Sequence, residues 1–167
     1  LAAPVGSNIL DVGGGHGQIT EQLLSMGFKV TVYGSDLCCG ERLTQFKDDD
    51  NFSFIAGDLY NMPFEDQAFD CVISIRLISH IECREKLFSE FCRLARNTII
   101  VDYPSWYSLN ILTPILFKLK KYIEKNTRTY TSFSGPELES QFATWGFEAT
   151  DKAAQFFLPM FFHRLLK

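Results

Sequence analysis

The sequence predicts an α/β fold in which a doubly wound parallel sheet lies between two helical layers. Three observations carry that expectation. Five short apolar, β-branched runs recur along the chain, helix-spaced segments separate them, and a glycine-rich turn joins the first run to the first helix. With 167 residues, 46% hydrophobic content and 16 Phe, the chain can bury a core as one domain, read as residues 1–167.

The first strand is expected at "NILDV" (8–12), and the chain then crosses Gly13, Gly14, Gly15 and Gly17. Glycines in such a turn let backbone approach a ligand with no Cβ in the way. A helix follows over 18–26 in "QITEQLLSMG", with its first N–H groups facing the turn. Strands are expected at "FKVTVYG" (28–34), "NFSFIAG" (51–57), "FDCVISI" (69–75) and "NTIIVDY" (97–103). Helices fill about 40–47 and 83–96, the second marked by Leu87, Phe88, Phe91, Leu94 and Ala95 at helical spacing. In a sheet of this kind ligands bind beyond the C-terminal strand ends, beside the first strand, which is where the glycine turn stands.

Residues 104–133 form a connection too long for a plain loop and read as a substrate-side insert. Inside it "SLNILTPILFKLKKYIEKNTR" is amphipathic and basic, which suits a lid, a surface for anionic lipid and thus peripheral membrane contact, or a helix packed on the sheet. The next helix, "SGPELESQFATWGF", is bounded by a Ser134–Glu137 capping box and by Gly146. The run from Phe147 supplies a sixth strand. After Pro159 only "MFFHRLLK" remains, without the length or turn signals of a return strand, so the sheet is expected to lack its final antiparallel strand and both chain ends read as cut. An open edge beside Phe156, Phe157, Phe161 and Phe162 is then an expected site of self-association or lipid contact.

A formal charge of −4 argues against nucleic acid as a partner, since neutralising phosphates needs clustered Lys and Arg. The five cysteines include the adjacent pair Cys38–Cys39 and no C-x-x-C, a pattern for a reducing compartment without a metal site. No leader opens the chain and no apolar run reaches the roughly 18 residues of a membrane span, so a cytoplasmic location is expected.

Spacing in the turn separates two ligand classes. A dinucleotide fingerprint counted from Gly13 and Gly15 would need its third glycine where Gln18 stands, which disfavours a nicotinamide-dependent reductase. Asp11, Gly13, Gly15 and Gly17 instead make acid-x-G-x-G-x-G. This resembles motif I of the class I S-adenosylmethionine (AdoMet)-dependent methyltransferases. AdoMet lacks a pyrophosphate but carries an ammonium and a sulfonium, and a carboxylate at the strand end suits those cations. "MPFEDQAFDCVIS" followed by "RLISHI" is similar to the signature of the methyltransferase group that includes ubiquinone and menaquinone biosynthetic enzymes.

The resemblance runs from about residue 8 to 103 and implies a Rossmann-like three-layer fold with AdoMet as cofactor. It places Asp36 at the ribose hydroxyls with Leu37 beside it, Asp58 near the adenine amino group, and the backbone of Leu59 near the ring. Ile75 joins them on the cofactor side, while Arg76, Asp102 and Tyr103 fall on the acceptor side. His80 is the candidate general base, with a packing role as its alternative. His16 shapes the pocket, and His163 is structural. The implied activity is methyl transfer to an oxygen or carbon nucleophile of a small, largely apolar acceptor. A noncatalytic AdoMet-binding scaffold is the alternative. An RNA or protein methyltransferase is weakened by "SIRL" standing where an Asn-Pro-Pro-Tyr-type motif would lie.

Overall fold

A computed structural model describes residues 3–15, 17–105 and 131–153. Within them five parallel strands form one sheet in the order β3-β2-β1-β4-β5. These are β1 (Asn8–Val12), β2 (Lys29–Gly34), β3 (Phe52–Ala56), β4 (Phe69–Ser74) and β5 (Ala95–Val101). The α-helices are α1 (Thr20–Ser25), α2 (Arg84–Leu94) and α3 (Gly135–Ala143), and two 3₁₀ segments span Leu37–Phe46 and Ile78–His80. The chain divides into two compact units, Leu1–Ile78 with Cys83–Asp102, and Ser79–Glu82 with Tyr103–Lys167.

The first unit holds the whole sheet. β1 lies at its centre, with Asp11 paired in register to Val32 of β2 and Ile73 of β4. Residues Ile9–Val12 are all buried, which is why this strand reads as an unbroken apolar run apart from one acid. Alternation sends Ile9, Val30, Val32, Cys71 and Ile73 into one core with Leu23 of α1, Phe28 and Leu43. The intervening residues Leu10, Val12 and Val72 belong to the opposite face. α2 lies against β4 and β5 and buries Leu87, Phe88, Phe91 and Leu94 at helical spacing. The strand order reverses between β1 and β4, the switch point at which such sheets open a crevice.

Three expectations need correction. The helix-like segment expected at about 40–47 is a 3₁₀ helix that starts earlier, over Leu37–Phe46, where Asp36 caps its first turn. β5 begins at Ala95 rather than 97 and ends at Val101, since α2 stops at Leu94 and Ala95 is already extended at φ −81°, ψ 126°. No strand begins at Phe147: residues 147–153 have no regular structure and 148–153 are exposed. The rest of that run, the phenylalanine-rich tail, the question of a seventh strand and residues 106–130 of the insert lie outside the described residues. In the second unit α3 has the expected borders. Ser134 Oγ accepts from the Glu137 N–H at 3.3 Å, and Gly146 closes the helix at φ +82°.

The loop carrying "NMPFEDQ" is held by one arginine. Arg93 of α2 donates to Glu90 Oε1 and Oε2 at 2.8 Å each, to the carbonyls of Phe64 (2.7 Å) and Met62 (3.0 Å), and to Asp66 Oδ1 (2.9 Å). Glu90 Oε2 also accepts from the Met62 N–H at 2.9 Å, so the buried carboxylate has partners on both oxygens. Arg93→Ala should therefore strand Glu90 and lower stability by about 2–4 kcal/mol in urea titrations at neutral pH. The hydrogen bond from Arg93 holds the Glu90 carboxyl below its ordinary 4.5. Its contribution is present above about pH 4.5 and lost as the pH falls, so the difference between variant and parent should shrink in acid.

Candidate functional site

The glycine turn leaves β1 at the switch point, and its shape is fixed by what packs around it. The Gly13 N–H donates to the Tyr33 carbonyl at 2.8 Å, extending the β1–β2 ladder by one bond, and Gly13 then turns at φ +82°, a conformation glycine adopts without strain. A Cβ on Gly15 would lie 2.8 Å from Cys39 Cβ and 2.9 Å from its carbonyl oxygen. One on Gly14 would overlap the Asp11 carboxylate. The glycines thus let the turn lie flat on the acid of β1 and on the start of the 3₁₀ segment.

Asp11 is 1% exposed, and neither carboxylate oxygen has a hydrogen-bond partner among the described residues. Burial raises its pKa from the ordinary carboxylate range to about 7. A buried polar group without a partner is rare in folded proteins and points to a missing ligand. This one fits a positively charged ligand in the turn above it, as AdoMet is.

The other residues expected on the cofactor side lie at or just beyond the same strand ends. Asp36 follows β2, is exposed, and caps the 3₁₀ segment by accepting from the Cys38 N–H at 2.9 Å. That backbone hydrogen bond holds its carboxyl below the usual range, keeping it charged. Leu37 beside it is 76% exposed, an apolar side chain held open next to the acid. Asp58, beyond β3, accepts from the Tyr60 N–H at 2.9 Å and is exposed, while Leu59 is buried. Ile75 packs against the core below the turn.

Of the residues expected on the acceptor side, Arg76 follows β4 in the first unit in a left-handed conformation, φ +61°. Its N–H donates to Asp102 Oδ1 at 2.5 Å, and the Asp102 N–H in turn donates to the Ser74 carbonyl at 3.3 Å. In the second unit His80 is exposed at the end of the Ile78–His80 turn, and Tyr103 meets Phe133 edge to face at 6.5 Å between ring centres. His16 and His163 lie outside the described residues.

Leu77, Cys39 and Leu43 were not legible as site residues in the sequence, although each packs on a glycine of the turn. Apolar or small residues in loops carry no pattern that marks them. Among the described residues all five cysteines are free, burial pushes the Cys71 and Cys92 thiols up to about 12, and no group of three His, Cys, Asp or Glu could hold a metal. No described helix is long and apolar enough to cross a membrane.

Known proteins share this fold. The profile of the family described as "Methyltransferase domain" matches residues 10–99. Norajmaline N-methyltransferase of Rauvolfia serpentina is 29% identical over 93 residues, 53% of this chain and 32% of the relative, so the chain spans about a third of that relative's length. The protein in complex with the Trm112 methyltransferase activator of Haloferax volcanii superposes with a TM-score of 0.73 at 20% identity, over 90% of this chain and 65% of that one. Phosphoethanolamine N-methyltransferase 2 of Haemonchus contortus, solved with S-adenosylhomocysteine, gives 0.68 at 21% identity, over 86% and 34%. With that profile covering more than half of its residues and the parallel sheet beneath it, the chain belongs to the Methyltransferase domain family of class I enzymes whose cofactor is AdoMet.

Proposed function

We propose that this chain binds AdoMet at the glycine turn and transfers its methyl group to a small-molecule acceptor. The observation that carries the reading is the buried carboxylate of Asp11, without a hydrogen-bond partner among the described residues, beneath a turn that needs glycine at position 14 to pass over it. AdoMet supplies a methyl already activated by its sulfonium, so the protein's work is alignment and exclusion of water. Asp11 offsets the ligand's positive charge, Asp36 accepts from ribose hydroxyls, Leu37 gives the adenine an apolar neighbour, and the backbone of Leu59 lies near the ring. Asp58 recognises its amino group, and Ile75 backs the pocket. Arg76, Asp102 and Tyr103 belong to the acceptor side.

The acceptor is a small molecule, largely apolar, with an oxygen or carbon nucleophile, and His80 serves as general base toward a hydroxyl. A nitrogen nucleophile is the second reading, favoured by the names of the two curated N-methyltransferases that the chain resembles. A neutral amine already presents its lone pair and needs no such base, so the two readings separate at His80. With methyl-labelled AdoMet and panels of phenols, active-methylene compounds and amines, label should pass to one panel. His80→Ala should lower turnover about a hundredfold for a hydroxyl acceptor and leave an amine acceptor almost untouched. Tight AdoMet binding without transfer to any of them would instead favour a noncatalytic scaffold.

Asp36→Ala removes charge-assisted hydrogen bonds to the ribose and should weaken AdoMet binding by about 1.5–3 kcal/mol by calorimetry. Unchanged affinity would place the ribose elsewhere. Asp11→Asn separates stability from binding. Because burial raises the Asp11 pKa from 3.8 to about 7, the protonated form is the one the fold favours. Stability from this group is complete below the unfolded pKa and declines as the pH rises toward 7. The Asn variant lacks that decline. Its stability relative to the parent should be greater at pH 8 than at pH 5, by on the order of 2 kcal/mol in urea titrations, while AdoMet binds it more weakly.

A further inference from the structure

We infer that Asp102 is a positioning residue for the cofactor turn, acting through the backbone of Arg76 rather than by touching the acceptor. The inference rests on the AdoMet reading above and deepens it. Arg76 stands at φ +61°, where a non-glycine residue is strained and persists only if its surroundings impose the conformation. One contact in the structure does so: the Asp102 carboxylate accepts the Arg76 N–H at 2.5 Å, a short charge-assisted bond. Asp102 is itself anchored, because its own N–H donates to the Ser74 carbonyl at 3.3 Å and Ser74 Oγ donates to the Val12 carbonyl at 3.1 Å. The carboxylate is thereby referenced to the C-terminal ends of both β4 and β1.

What the strained residue delivers is its neighbour. The left-handed step at Arg76 turns the chain so that Leu77 lies over Gly13, with three of its carbons 3.1–3.2 Å from where a Cβ on Gly13 would stand. Leu77 thus forms one wall of the turn that receives AdoMet. Without the carboxylate, Arg76 relaxes to negative φ, Leu77 leaves Gly13, and the turn loses that wall.

A glycine at position 76 adopts φ +61° without help, which gives the test its sharpest arm. Asp102→Ala should weaken AdoMet binding on the order of tenfold by calorimetry. Asp102→Asn, which keeps an acceptor oxygen, should stay within about threefold of the parent. Adding Arg76→Gly to Asp102→Ala should recover most of the loss, and should also restore folding if the single variant fails to fold. Parent-like affinity in Asp102→Ala, or a loss that Arg76→Gly does not recover, overturns the inference, the latter because it means that Asp102 acts on a ligand directly. Amide exchange at Arg76 and Leu77, followed by NMR without ligand, should be faster in Asp102→Ala and parent-like in Asp102→Asn. Unchanged exchange also overturns the positioning role. Faster exchange in a chain whose parent form does not bind AdoMet would uphold it and sink the AdoMet reading alone.

Discussion

A carboxylate with no hydrogen-bond partner among the described residues, one residue short of the end of the central strand, is the constraint around which the glycine turn is built. Asp11 sits in register between Val32 and Ile73, on the face of the sheet that carries the apolar core. A charge in that position has no water to turn to, and its neighbours in the strands offer it nothing. The turn that follows must pass close above it, which excludes any side chain at Gly14. Positive charge brought to the turn would remove the electrostatic penalty, which is the pairing proposed above between Asp11 and AdoMet.

The turn's geometry, by contrast, does not wait for a ligand. Gly13 is clamped between the Tyr33 carbonyl and Leu77, and Gly15 lies against Cys39 at the start of the 3₁₀ segment that Asp36 caps. The capping bond from the Cys38 N–H to Asp36 fixes the segment whose Cys39 supports the turn, and the same bond keeps the carboxyl ionised. Such a site is preorganised, so less conformational freedom is lost when a ligand arrives.

The sheet was legible in the sequence because parallel strands buried on both faces read as apolar runs, and because strand, turn and helix alternate with a glycine signature at the switch point. The acid-x-G-x-G-x-G spacing likewise separated AdoMet from a dinucleotide. Other features left no such trace. The boundary between α2 and β5 falls between Leu94 and Ala95 with no glycine or proline to mark it, and Ala95 still fits the helical spacing of the residues before it. The helix-like segment expected near 40–47 is helical but of the 3₁₀ type, a distinction that residue composition does not record. Contacts such as Arg93 to the carbonyls of Met62 and Phe64, or Asp102 to the Arg76 N–H, join a side chain to a distant backbone. Backbone groups are the same at every residue, so a sequence carries no mark of which one is to be met.

At the other edge of the sheet a single side chain performs a similar service for three strands at once. Asp70 of β4 accepts from the Asn8 N–H at the start of β1 at 2.9 Å and from Arg96 of β5 at 2.6 Å, while Arg96 also holds the Gln67 carbonyl at 2.9 Å. This rivets the N-terminal ends of adjacent strands without drawing on any residue of the ligand side. The starts of these strands and their ligand-side ends thus rest on separate sets of contacts. The C-terminal loops can be lengthened, shortened or exchanged for a new acceptor while the opposite edge keeps the strands in register, so the scaffold can diversify its chemistry without renegotiating its fold.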